Sequence, residues 1–346
     1  MRVADIGEFG LIDRLRKRLG PCDGPGVVLP NGDDCAGLVF SPGRWVLATS
    51  DILVEGEHFI RSHCPPRQIG RKALAINLSD VAAMGGDPKF ALVSIAVPED
   101  TPCDYLEEVY DGLREQGEEF GTVFVGGNVS RCRSGIVLDV HLLGEGDPEA
   151  TLRRSGAQPG DVLMVTGTLG DAAAGLRLLL QAGSSRGGGK PAFAPSDESL
   201  VDAFLGPRPL VREGRAIARA GAATAMIDVS DGLSGDVSHL CEASRVGVTL
   251  DAGEFPLSDA LRDVAPRWDL EPEDLALQGG EDYELLVAVR PDEAEGLAAR
   301  LFQETGTNLR AIGRFTEEGA GRNVVRNGRE VPLVVTSYDH LRRGGG

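Results

Sequence analysis

Residues 66–97 read PRQIGRKALAINLSDVAAMGGDPKFALVSIAV. Two different periods follow each other in this stretch. Ile69, Ala73 and Ile76 recur at helical spacing, which predicts a helix over Pro66 to Met84. The apolar run Phe90 to Val97 follows a Gly-Gly-Asp-Pro turn and is expected to be a strand. The alternation continues on both sides. Trp45–Ala48, Thr122–Val125 and Ile136–Leu143 read as strands, and Tyr105–Phe120 as a helix. After a break at Gly144–Pro148 come strand Asp161–Val165, helix Asp171–Gln181, helix Leu210–Ala220 and strand Ala223–Ile227. Helix Leu233–Ala243, strands Val246–Leu250 and Tyr283–Val289, and helix Asp292–Gln303 complete the pattern. Helices and strands interleaved in this way belong to an α/β fold class with mixed sheets.

Two domains are expected, residues 1–150 and 151–346, with the boundary within residues 146–160. Residues 183–199, GSSRGGGKPAFAPSDES, form a linker by composition and are expected to be a flexible loop inside the second domain. Pro191 follows Gly189-Lys190, so this is not a Walker-type phosphate loop.

Composition narrows the function. The 346 residues carry 53 acidic and 35 basic side chains, a net charge of −18. That balance argues against nucleic acid, whose binders carry a basic patch, and against an anionic membrane surface. The longest apolar run, Phe90 to Val97, is far shorter than the ~20 residues of a membrane span. The N-terminal MRVADIGEFG lacks the apolar core of a signal peptide, so the cytoplasm is the expected location. The six cysteines form no C-x-x-C pair, which disfavours zinc and a disulfide framework.

The aspartates fall in a pattern. Asp33 and Asp34 lie in NGDDCAG, Asp51 follows WVLATS, and Asp80 lies in NLSDVAAMGGDP. Asp228 and Asp231 lie in MIDVSDG after one strand-like run, and Glu281 and Asp282 in QGGEDYEL before another. Loops at strand ends are where ligands bind in open α/β sheets. Ala73, Asn77 and Asp80 share one helix face, which sets a carboxylate and an amide beside the apolar stripe. Each acid alone has a plain reading: Asn31-Gly32-Asp33 is a turn signal, and Asp228 a helix cap. If they converge, they repel unless cations stand among them. Mg2+ suits that place, because it binds a few carboxylates, waters and substrate phosphates. A carboxylate-rich site of this kind is a polyphosphate site.

The blocks GEFGLIDRL (7–15), GDDCA (32–36), TSDILVEGEHF (49–59), KALAINLSDVAAMGGDP (72–88), GG (126–127), RRSGAQPGD (153–161), VTGTLGDAAAGL (165–176), IDVSDGL (227–233) and GGEDYEL (279–285) resemble the thiamine-monophosphate kinase family. The resemblance runs from about residue 7 to the YDH at 338–340. It implies a two-domain fold like that of aminoimidazole ribonucleotide synthetase, with the N-terminal domains of two subunits pairing through their sheets. It implies transfer of the γ-phosphoryl of ATP to thiamine monophosphate, directly and without a covalent nucleophile on the protein. Under the resemblance, Asp33, Asp51, Asp80, Asp228 and Asp231 are metal ligands, with Thr49 and Ser50 flanking them. Tyr110, Gly127, Arg154 and Ser230 are implied contacts to ATP. His58, Glu281 and Tyr338 are implied contacts to thiamine monophosphate.

One residue departs from the family pattern. Where the family carries Gly-Gly-Asp-Thr-Thr-Arg-Gly, residues 126–132 read GGNVSRC, and Asn128 stands in the place of a metal-binding Asp that also faces ATP. A neutral amide oxygen ligates Mg2+ more weakly than a carboxylate. The site either tolerates Asn128 with a higher Mg2+ requirement, or borrows a carboxylate such as Asp139, or has lost or changed its activity. Two other readings stand beside the kinase. One is another ATP-using relative: Cys22 in GPCDGPG lacks the Gly-rich setting of the selenophosphate enzyme's reactive cysteine, and LRRGGG lacks the terminal Cys of the hydrogenase-maturation relative. The other is a binding protein for nucleotide or thiamine phosphate without catalysis.

Overall fold

A computed structural model describes residues 1–21, 24–29, 37–183 and 193–335. Asp33 and Tyr338 lie outside the described residues, as do Cys22 and residues 184–192. The chain divides into two compact units, residues 1–81 with 86–149, and residues 82–85 with 150–346.

The first unit contains α1 (Val3–Leu19), β1 (Val27–Leu29), β2 (Gly37–Leu38), β3 (Trp45–Val54), α2 (Pro66–Ala83), β4 (Asp87–Val97), α3 (Cys103–Phe120), β5 (Val123–Arg131) and β6 (Val137–Gly146). Its four-stranded sheet has the order β3-β6-β4-β5. β6 runs antiparallel to β3 and β4, and β4 pairs parallel with β5 across the α3 connection. One face buries Leu47, Leu53, Val93, Ile95, Leu138, Val140 and Leu142. On the other face Val46 and Ile52 of the edge strand β3 are half-exposed.

α2 and α3 cross with their backbones in contact. A Cβ added at Gly70 would stand 1.8 Å from the Val109 carbonyl oxygen, and one at Gly112 would stand 2.0 Å from that of Arg67. Two glycines facing each other are the condition for this approach. On the far side of α3, Arg14 and Arg18 of α1 both donate to Glu107. Burial pushes the Glu107 carboxyl up, but the hydrogen bonds from Arg18 and Arg14 outweigh it and hold it below the usual carboxylate range.

The second unit contains β7 (Val162–Thr166), α4 (Asp171–Gly183), α5 (Pro195–Leu205), α6 (Val211–Ala220), β8 (Ala223–Asp228), α7 (Leu233–Ser244), β9 (Val246–Asp251), α8 (Asp259–Val264), α9 (Pro272–Gln278), β10 (Leu285–Val289), α10 (Ala294–Thr305), β11 (Leu309–Glu317), β12 (Arg322–Arg326) and β13 (Arg329–Pro332). The seven-stranded sheet runs β13-β12-β9-β11-β7-β10-β8. β12 pairs parallel with β9, and the other pairs are antiparallel. All five residues of β10 are buried, as expected for a strand covered on both faces. Leu233, Val237 and Leu240 of α7 and Ala276 and Leu277 of α9 join Leu163, Ile227, Leu286 and Phe315 in one core. Since β10 runs against β7 and β8, its first residues lie at the sheet edge where β7 and β8 end.

Several sequence expectations change. The linker expected over residues 183–199 ends early, because α5 starts at Pro195. Asp197 in its first turn is buried and pairs with Arg267 at 2.9 Å, a tertiary contact that composition does not reveal. The break expected at Gly144–Pro148 starts later, since β6 continues to Gly146 on its ladder with β3. The strand expected to start at Tyr283 starts at Leu285. Gly126–Arg131 belong to β5, so Asn128 sits within a strand and not after one. Asp51 likewise lies inside β3.

Gly112→Ala is expected to cost ~1–3 kcal/mol by forcing α2 and α3 apart, read as a lower melting temperature. Gly296→Ala in α10, where an added Cβ meets nothing within 4 Å, is the counterpart and should stabilise by ~0.5–1 kcal/mol.

Candidate active site

In the first unit the pleat of β3 sorts its candidates. Thr49 and Asp51 alternate with the buried Leu47 and Leu53, so they point toward the helices. The Thr49 hydroxyl donates to Asp80 Oδ2 near the end of α2, so Thr49 and Asp80 are brought together. Ser50 points to the open face, where its hydroxyl donates to Asp139 Oδ1 at 3.0 Å. His141 Nε2 stands 3.4 Å from Asp139 Oδ2.

Asn128 occupies the open face as well. It pairs with Ser94, which pairs with Asp139, so one row across the sheet reads Asn128, Ser94, Asp139 and Ile52. Asp139 is two strands from Asn128, about 9–10 Å by strand spacing. Gly127, the preceding residue, faces the Val93 carbonyl oxygen, which an added Cβ would approach to 1.9 Å. That close passage of β4 and β5 accounts for glycine at 127 without a ligand. Beyond the end of β3, His58 Nδ1 accepts from the Val54 amide at 3.1 Å. In the neutral ring this puts the proton on Nε2. Tyr110 of α3 is 4% exposed.

In the second unit the Asp228 and Glu281 motifs meet where β8 ends and the chain enters β10. Asp228 ends β8 and is buried, while Ser230 and Asp231 follow it, partly buried. The Asp231 amide donates to Asp236 Oδ2 at 3.2 Å. The Asp236 carboxyl is pushed up to about 8, by burial first and then by the Asp228 and Asp231 carboxylates. The motif holding Glu281 folds back on this loop. The Glu281 amide donates to the Ser230 carbonyl, and that of Tyr283 to the Val229 carbonyl, both at 2.8 Å. Arg154 is exposed, and its carbonyl accepts from the Ser244 hydroxyl at 3.1 Å. The neighbouring Arg153 carbonyl accepts from the Met226 amide of β8, which ties this segment alongside the strand.

Thr49 and Asp80 in the first unit, and separately Asp228 and Asp231 in the second, offer oxygen donors, the kind that hard divalent cations take. Among the described residues no three His, Cys, Asp or Glu side chains stand close enough to hold a metal ion by themselves. Phosphate oxygens and water would have to complete any Mg2+ shell, which is the ion's ordinary habit.

Residues 32–145 match the family model for the AIR synthase related protein N-terminal domain, and residues 158–326 match that for its C-terminal domain. A thiamine-monophosphate kinase of Escherichia coli (strain K12) is 38% identical over 342 residues, covering 97% of this chain and 98% of the relative. The Aquifex aeolicus enzyme is 38% identical over 83% of this chain and 87% of its own length.

The chain belongs to the thiamine-monophosphate kinase family.

Solved structures agree with this placement. Thiamine-monophosphate kinase from Stenotrophomonas maltophilia K279a matches with a TM-score of 0.81 and 35% identity, over 95% of this chain and 98% of that one. AaThiL complexed with AMPPCP and TMP matches with a TM-score of 0.75 and 35% identity, over 98% and 99%. The hydrogenase maturation protein HypE of E. coli shares the fold at 20% identity and a TM-score of 0.75.

Sequence reasoning missed Asp236, although DVSDGLSGD spaces three acids for one turn and one helix start. It also gave no role to Glu284 and Asp171. The Glu284 carboxyl is pushed up to about 7 by burial, against a hydrogen bond from the Thr166 hydroxyl at 2.5 Å.

A carboxyl whose folded pKa lies above its unfolded value supports the fold while it is protonated, and that support is lost as pH rises to the folded value. For Asp236 the window runs from about 4, the unfolded carboxyl, up to about 8. Without divalent cation, Asp236→Asn should therefore melt at a higher temperature than the native chain at pH 8. The gap should close toward pH 4, as checked by thermal melts across that range.

Proposed function

We propose that this chain transfers the γ-phosphoryl group of ATP to thiamine monophosphate, giving thiamine diphosphate and ADP, by direct in-line displacement assisted by several Mg2+ ions. The observation that carries this reading is the near full-length likeness to a complex holding AMPPCP, an ATP analogue, and TMP. Phosphoryl transfer asks little covalent chemistry of a protein, and positioning and charge neutralisation do most of it. Bound Mg2+ supplies that neutralisation on the phosphate oxygens. In the first unit Asp51 and Asp80 would hold it, with Thr49 orienting the Asp80 carboxylate and Ser50 contributing its backbone oxygen, since its hydroxyl faces Asp139 across the sheet. In the second unit Asp228 and Asp231 would do so, and Asp33 completes the proposed set. Asn128 offers a neutral amide oxygen in place of a carboxylate.

ATP is assigned to Tyr110, Gly127, Asn128, Arg154 and Ser230. Arg154 is exposed and free to place its guanidinium on phosphate oxygens. Thiamine monophosphate is assigned to His58, Glu281 and Tyr338. No general base is needed, because the attacking phosphate oxygen is already ionised at neutral pH. His58 donates through Nε2 and orients the acceptor. The first domain (residues 1–150) is read as the ATP, metal and pairing domain, and the second (151–346) as its α/β partner.

The open face of β3, with Val46 and Ile52 half-exposed, is proposed to pair with a second copy of the chain. The cytoplasm is the proposed compartment, and no described helix is long and apolar enough to cross a membrane.

Two measurements test this reading. The purified chain with ATP and thiamine monophosphate, over a wide Mg2+ titration, should form thiamine diphosphate, and Asn128→Asp should lower the half-saturating Mg2+. A native chain silent at every Mg2+ concentration beside an active Asn128→Asp would favour the non-catalytic binding protein, whose motive is the amide at 128. Ile52→Asp should shift sedimentation toward the monomer; an unchanged sedimentation coefficient would remove β3 from the pairing face.

A further inference from the structure

Among the described residues five non-glycine residues have positive φ, and three of them sit where chains ordinarily turn left-handed. Arg245 and Asp269 close helices, and Asn327 precedes Gly328 in the turn between β12 and β13. Glu281 (φ 68°) and Tyr283 (φ 51°) close nothing. They flank Asp282 immediately before β10, and side chains larger than glycine occupy this region only when their surroundings over-determine it.

The surroundings here are specific. On one side the Glu281 and Tyr283 amides donate to Ser230 and Val229, and the Val229 amide donates to the Glu284 carbonyl at 2.8 Å. On the other side Asp282 Oδ2 accepts from the Gly170 amide at 2.8 Å, and Oδ1 from the Ala172 amide at 3.4 Å, at the start of α4. Two residues on, the Thr166 hydroxyl donates to Glu284 and accepts from the Leu285 amide at 2.8 Å. The stretch 281–284 is thus tied by its backbone to the Asp228–Asp231 loop and by its carboxylates to the α4 entry. Burial pushes the Asp282 carboxyl well up despite the two amide donors, so it is kept there at a cost.

We propose that Asp282 is a positioning residue. By gripping the first amides of α4 it holds Glu281 and Tyr283 in their left-handed turns, and through their amides it sets the Val229–Ser230 backbone between Asp228 and Asp231. It touches neither substrate nor metal itself. The proposal rests on the kinase reading for its kinetic consequence, and on the geometry alone for its structural one.

The experiment compares Asp282→Asn with the native full-length chain by amide hydrogen exchange and steady-state kinetics. The amide side chain keeps the shape but turns one acceptor into a donor facing a backbone N–H. Expected are at least tenfold faster exchange in peptides covering 228–231 and 279–284, with 223–227 and 285–289 unchanged. Expected as well are at least a fivefold rise in KM for thiamine monophosphate and in half-saturating Mg2+. A merely structural role would instead speed exchange through β8 and β10 and leave KM unchanged in the folded protein, and either result overturns the proposal. Tyr283→Gly, which takes the left-handed conformation freely, should restore slow exchange at 228–231 in the Asp282→Asn background; failure to do so also counts against it. If the native chain shows no turnover, the kinase reading fails and the exchange arm still decides the clamp.

Discussion

Asp228, Asp231 and Asp236 crowd one turn and the start of one helix, and their mutual repulsion is what the second unit has to absorb. The repulsion shows in Asp236, whose carboxyl is pushed up to about 8, by burial and then by its two neighbours. A protein kept only for stability would replace such a group with an apolar residue of similar volume. Here the charges stand at the end of a sheet whose strand β10, between β7 and β8, is buried along its whole length. The rigid, dry sheet fixes where the loops begin, and the loops carry the chemistry. The antiparallel run of β10 beside β8 brings the Asp228 and Glu281 motifs together at that end.

The same end of the sheet stores conformational strain. Left-handed Glu281 and Tyr283 each cost on the order of 1–3 kcal/mol. Backbone hydrogen bonds to Val229 and Ser230 hold them, and the Asp282 grip on α4 pins the residue between them. Repulsion and strain therefore sit together, and the apolar core behind them, Leu163, Ile227, Leu286 and Phe315 among others, supplies the opposing free energy. The first unit solves a different problem. Its helices approach through Gly70 and Gly112, and its strands through Gly127, so glycine there serves closeness and not turning.

Long apolar periods were legible in the sequence. Pro66–Met84 and Phe90–Val97 each announce one element, because a buried face writes its spacing into the chain. Asp197 was not legible: its polar turn looks like linker until Arg267, seventy residues away, pairs with it. Strand ends were unclear for a related reason. β3 and β5 are edge strands, and their last residues, Thr49 to Val54 and Gly126 to Arg131, alternate with polar groups that read as loop. The candidate acids were found because acids beside apolar runs are rare. Asp236 was not found, because its consequence depends on two other carboxylates folding toward it.

Asn128 looks different once its row is seen. It lies on the open face with Ser94, Asp139 and Ile52, whereas Thr49, Asp51 and Asp80 lie on the helix side of the same sheet. If a second copy covers this face, residue 128 is drawn toward low dielectric. Burying an unpaired carboxylate there costs far more than burying an amide that finds a hydrogen-bond partner. Asp139 already occupies the row, accepting from the Ser50 hydroxyl and standing beside His141. A second carboxylate two strands away would repel it. An amide at 128 leaves Asp139 as the one carboxylate of that row.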